Sequence, residues 1–164
     1  MNYFQAPSYN VIVSRNTEEP NGRLKSCDLY LCIIMKRNGK FNGNQSPQRY
    51  LANAKETISK SPIEDGHYSD VKYVTEAAGI AYIAVRNAIF EYATQKGIEL
   101  KETPKTYQGM SHLINQLSVR NKLHQKFKDV YDILHTGAYY NAFNRVSVIK
   151  EGFKEAENIL KMLN

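Results

Sequence analysis

Two residue types that often anchor small folds are scarce in this 164-residue chain, which has no Trp and two Cys. Cys27 and Cys32 are too few for the disulfide framework of a small secreted domain, and nothing near them supplies the further Cys or His of a zinc site. A reducing, cytoplasmic setting is therefore the expectation. Long apolar runs are lacking too. The longest unbroken by glycine, residues 29–35, falls well short of the roughly 18–20 residues that a membrane-spanning helix needs. The chain also lacks a glycine-rich phosphate loop, a G-x-S-x-G elbow and an H-E-x-x-H pair. It has no pair of Glu-x-x-His units of the kind that builds a di-iron bundle, so neither a metal nor another cofactor is expected.

What is present divides near Ser46. Before it lie turn-formers, at residues 19–22 and 38–44, and apolar residues with no sustained helical period, a composition with little means of burying itself. Residues 1–46 read as a disordered extension, with residues 29–35 as an isolated strand or short helix. Arg23 and Lys25 ahead of that run faintly resemble a signal peptide, but Lys36 and Arg37 follow directly and no small-residue cleavage site is present. A start at Met35, with the preceding residues dispensable, is an alternative account of the extension. The net charge of +6 is shared. Six basic and three acidic residues lie before Ser46, sixteen and thirteen after it, so each part carries +3. The folded part has no dense Lys/Arg stripe interleaved with aromatics, and reads as a solvated surface of mixed charge.

From Ser46 onward the apolar period is helical. Ser46 as N-cap and Pro47 at the first helical position open a helix over 47–60, with Tyr50, Leu51, Ala54 and Ile58 on one face and Pro62 beyond its end. Ser69 is placed to cap a long second helix reaching Lys96, with Gly97 suited to a left-handed C-cap. The middle of that helix, residues 77–85, is apolar all round, which marks a helix with neighbours on several sides. A short third helix follows Thr106 through Met110, Leu113, Ile114 and Leu117. A fourth carries Leu123, Phe127, Val130 and Leu134 and is expected to end near Gly137. The last places Val146, Ile149, Phe153, Ala156, Leu160 and Leu163 on one seam. No convincing period-two alternation appears. The expected fold is an all-α, up-and-down bundle of about five helices over residues 47–164, with a long central second helix.

Three polar features stand out. Arg86 lies among the apolar residues of the second helix, either half buried against a carboxylate such as Glu76 or Glu91, snorkelling outward, or contacting an anion or a nucleotide phosphate. Arg120 and His124 stand four residues apart, so a helix puts them on one face, where a cation holds phosphate and an imidazole moves a proton; the plainer reading is an exposed helix start. His135, Tyr139 and Tyr140 flank Gly137 and either cap the bundle or line a pocket.

A first helix with Ala52 and Ala54, a long small-residue helix with Tyr82 and Arg86, and a late Leu134-His135 followed by Gly137, Tyr139 and Tyr140 together resemble the HEPN superfamily and, close to it, small bacterial all-α domains of unknown function. That resemblance covers about residues 47–163. It implies one of two roles. Active members are ribonucleases that use an Arg, four to six intervening residues and a His across a dimer interface; Arg120 and His124 are separated by three residues, one short of that pattern. Other members are non-catalytic dimerisation or binding modules, some accompanying nucleotidyltransferases. With the clean bundle pattern and the missing catalytic set, this layout makes the expectation a non-enzymatic, dimerising module that binds a protein partner, a nucleotide or RNA, with Arg86, His135, Tyr139 and Tyr140 as candidate ligand-binding residues. The alternative is a metal-independent ribonuclease using Arg120 and His124.

Overall fold

The computed structural model describes residues 46–100 and 103–164. The expectations made for the extension, including its disorder, the apolar segment 29–35, the start at Met35 and the state of Cys27 and Cys32, lie outside these residues. The described residues form an all-α bundle of five helices with one small two-stranded sheet.

Helix α1 spans Pro47–Ile58. Ser46 caps it by accepting the Arg49 amide at 3.3 Å, and Leu51 and Ala54 are buried on its inner face. The chain then leaves the helix through Ser61, whose buried hydroxyl donates to the Asp70 carbonyl and accepts the Asp70 amide, each at 3.0 Å. Strands β1, Ile63–Glu64, and β2, His67–Tyr68, pair antiparallel across Asp65 and Gly66, both with positive φ. Asp-Gly supplies the left-handed backbone that such a two-residue turn needs. This hairpin stands where only a linker was expected, because two-residue strands are too short to show alternation. It is also a tie. The Tyr68 amide donates to the Asn144 carbonyl, Asn144 Nδ2 donates back to the Tyr68 carbonyl, and the Val146 amide donates to Gly66.

Helix α2, Val71–Gln95, is capped by Asp70, which accepts the Lys72 amide at 3.0 Å. Ser69, the expected cap, instead donates its hydroxyl to the Pro62 carbonyl. Gly97 has φ +79, as a left-handed C-cap requires. Small residues Ala77, Ala78, Ala81, Ala84 and Ala88 are buried along α2, which packs against α1 and against the last two helical stretches of the chain. Helix α3, Tyr107–Asn115, begins at Thr106, whose hydroxyl accepts the Gly109 amide at 3.0 Å.

Helix α4, Arg120–Val130, runs without a break into a π-helical segment, Tyr131–Tyr140. The stop expected at Gly137 does not occur there. The helix widens rather than ends, and Gly137 serves a different purpose: a Cβ on it would lie 3.0 Å from the Phe143 ring and 3.1 Å from the Asp132 carbonyl. The chain turns only after Tyr140, with Ala142 at φ 55 and the Phe143 amide donating to Gly137. Helix α5, Val146–Leu163, buries Ile149, Phe153, Ala156, Ile159, Leu160 and Leu163. Gly152 lets it approach the π segment, since a Cβ there would lie 2.7 Å from both Ile133 and Leu134 side-chain carbons. Among the described residues no helix is long and apolar enough to cross a membrane.

Candidate functional site

Tyr82 and Arg86 are one turn apart on α2, and both point into the protein, 3% and 2% exposed. The guanidinium carbon lies 5.8 Å from the Tyr82 ring centroid, and Nη2 donates to the Pro104 carbonyl at 2.5 Å. Arg86 is therefore more deeply buried than either structural reading supposed. It neither snorkels nor pairs with Glu76 or Glu91, and no described carboxylate forms an ion pair with it. Two polar atoms here are left over. Arg86 Nε and the Tyr82 hydroxyl are buried without a hydrogen-bond partner. Burial lowers the guanidinium pKa, opposed by Tyr82, and pushes the Tyr82 phenol well above its usual range, so the phenol stays neutral and keeps its proton to donate. An uncompensated buried charge and an unmade hydrogen bond each carry a desolvation cost that the fold offsets elsewhere.

The π segment adds the second half of the site. At about 4.4 residues per turn, Tyr131, His135 and Tyr140 fall on one side of the widened helix, whereas α-helical spacing would put Tyr140 opposite Tyr131. The His135 ring stacks on Tyr82 with centroids 4.2 Å apart and planes at 22°, and Tyr139 lies nearly parallel to His135 at 5.9 Å. Tyr140 meets His135 edge-on at 4.9 Å and is about half exposed. Tyr131 meets Tyr82 edge-on, Phe127 flanks the same ring, and Tyr107 closes on Tyr131 from α3. Gly79 makes room for this ladder, since a Cβ on it would lie 3.1 Å from the Tyr139 ring. Burial, helped by the Arg86 charge, lowers the His135 pKa to about 4. His135 is thus a neutral ring near neutral pH, able to stack and to share one proton but not to act as a cation.

Of the residues singled out in the sequence, Arg86, His135, Tyr139 and Tyr140 meet at this place. Arg120 and His124 do not join them. Arg120 is exposed at the first position of α4, His124 is half buried one turn later, and neither takes part in the ring contacts. The Pro104 carbonyl and the rings of Tyr107, Phe127 and Tyr131 escaped the sequence reading. A 3.6-residue period assigns Phe127 to the core and scatters the tyrosines. A separate pocket of about 210 Å³ lies between α1, α2 and α5, with Glu91, Tyr92 and Gln95 on its wall and none of the singled-out residues. Burial raises the Glu91 carboxyl pKa there. Among the described residues no group of three or more His, Cys, Asp or Glu is arranged to hold a metal ion.

No curated protein matches the chain. Among solved structures, a protein of unknown function from Dyadobacter fermentans is similar to it, with 30% identity and a TM-score of 0.61 over 72% of this chain and 89% of that one. A family model described as a domain of unknown function, DUF5618, matches residues 42–164, a stretch that takes in every helix described above, and the chain belongs to that family.

Proposed function

We propose that the domain is a non-enzymatic binding module that receives a base-bearing ligand, a nucleotide or an unpaired base of RNA, on the ring ladder that ends at Tyr139 and Tyr140. The observation that carries this reading is the continuity of the ladder, which runs from the buried Tyr82 ring through His135 to the half-exposed Tyr140. Rings held in place by packed neighbours lose little freedom when a base stacks on an open face, and such stacking is worth about 1–3 kcal/mol per base. In this reading residues 47–164 form the binding unit, residues 1–46 are an extension, and the layout is that of a non-catalytic HEPN-like domain. It works in the cytoplasm as a homodimer and accompanies a protein such as a nucleotidyltransferase. Titration with adenosine tests the ladder. Tyr140→Ala is expected to weaken binding between about fivefold and a hundredfold. No binding by the wild type, or equal binding by the variant, sinks the reading. Sedimentation that shows a strict monomer removes the dimer.

The second reading is a metal-independent ribonuclease using Arg120 and His124. It is favoured by their i, i+4 placement at the exposed start of α4. Labelled RNA cleaved equally by the wild type and by an Arg120→Ala, His124→Ala double variant ends it.

A further inference from the structure

Arg86 Nε and the Tyr82 hydroxyl share one chemical need. The guanidinium only donates, and the neutral phenol has a proton to give, so what both lack is an acceptor. A single backbone carbonyl, that of Pro104, already answers Nη2. It carries no charge, and no described carboxylate balances the guanidinium. The rings packed on Tyr82 do not supply a negative charge either: Phe127 is apolar, Tyr131 is a phenol, and His135 is neutral or positive. Two unanswered donors beside an uncompensated positive charge favour a ligand that is both anionic and rich in acceptors.

We propose that Tyr82 and Arg86 form an internal oxyanion site that takes phosphate, with Arg86 Nε and the Tyr82 hydroxyl donating to separate oxygens of one anion. Phosphate offers several oxygens at hydrogen-bonding separation, which a lone carbonyl does not, and its charge neutralises the guanidinium where no described carboxylate does. The site lies at the inner end of the rings Tyr82, His135 and Tyr140, the last of which faces solvent. A free phosphate ion and the phosphate of a nucleotide whose base rests on Tyr139 and Tyr140 present the same chemistry. The nucleotide version rests on the ring-ladder reading, and the free-ion version does not.

The test uses the full chain, titrated with inorganic phosphate against chloride at matched ionic strength, and reads the Arg86 Nε–H resonance by NMR alongside the melting temperature. Saturable movement of that resonance with a rise in melting temperature is expected. Tyr82→Phe removes one donor without breaking a protein hydrogen bond, and is expected to weaken phosphate binding by about tenfold. Arg86→Met is expected to abolish it. Should Arg86→Met fail to fold, Tyr82→Phe still decides. A resonance that phosphate leaves unmoved, or a response of equal strength in Tyr82→Phe, overturns the proposal. Adenosine, adenosine monophosphate and phosphate run in parallel keep the two readings apart. Adenosine binding without phosphate binding removes the anion site and leaves the ladder. Phosphate binding without adenosine binding removes the ladder and leaves the site.

Discussion

The two faces of α2, the long helix at the centre of the bundle, are built on opposite principles. On the face turned away from Tyr82 and Arg86, α2 buries Ala77, Ala81, Ala84 and Ala88, apolar side chains without polar atoms of their own to satisfy. Where it faces the π segment, it presents Tyr82 and Arg86 to a set of rings, and two buried donors are left over. The first contact converts apolar area into stability at about 25 cal/mol per Å². The second gives up part of that gain to hold polar groups in place, which is how a fold keeps a site ready for a ligand.

Substitutions on the two sides should therefore behave differently. The largest effect is expected in the aliphatic core, where Ile159→Ala empties a fully buried position of α5 and should cost about 3–4 kcal/mol in urea unfolding. Gly152→Val comes next, at about 3 kcal/mol, because its side chain would overlap Ile133 and Leu134. On the ring side the response should depend on pH. His135 has a folded pKa of about 4, below its ordinary value of 6.5. As pH falls below about 6.5 the unfolded chain takes up the proton first, so stability should decline between pH 6.5 and 4 by an amount on the order of 2–3 kcal/mol, and be unaffected above that window. His135→Phe keeps a ring and should flatten that decline. The smallest effect is expected from Tyr82→Phe, which deletes an unpartnered hydroxyl and should leave the ligand-free domain unchanged or more stable by up to about 1 kcal/mol. A loss of 2 kcal/mol or more in Tyr82→Phe would show that the hydroxyl has a partner, and the contrast between the two sides would fail.

What the residues disclosed in advance follows the same division. The seam of α5 from Val146 to Leu163, the Ser46-Pro47 start, the Thr106 cap and the Gly97 terminus all rest on local rules, a 3.6-residue period or a cap one turn long, and each stands in the structure. The site was half legible. Arg86, His135, Tyr139 and Tyr140 drew notice as polar or aromatic residues in apolar settings, but their convergence depends on two things no local rule reports. One is the widening of the helix after Val130, which changes the period that any face assignment assumes. The other is the Pro104 carbonyl, eighteen residues from Arg86 and a backbone atom, so its identity as a residue says little about its role. Asp70 took the place expected of Ser69 for a related reason. The reciprocal bonds between Ser61 and Asp70 come from across the hairpin and fix which of two adjacent caps faces the helix.

The π segment works as a phase shifter. Its ten residues are about two more than an α-helix would use for the same number of turns, so a strand of side chains entering at Tyr131 in register with the core leaves at Tyr140 about half a turn from where α-helical winding would put it. The core face of α4, with Leu123 and Val130, and the ring face of the π segment, with His135 and Tyr140, are thereby set by different periods on one continuous helix. Shortening the segment by two residues would restore a single period, and Tyr140 would leave the line of Tyr131 and His135.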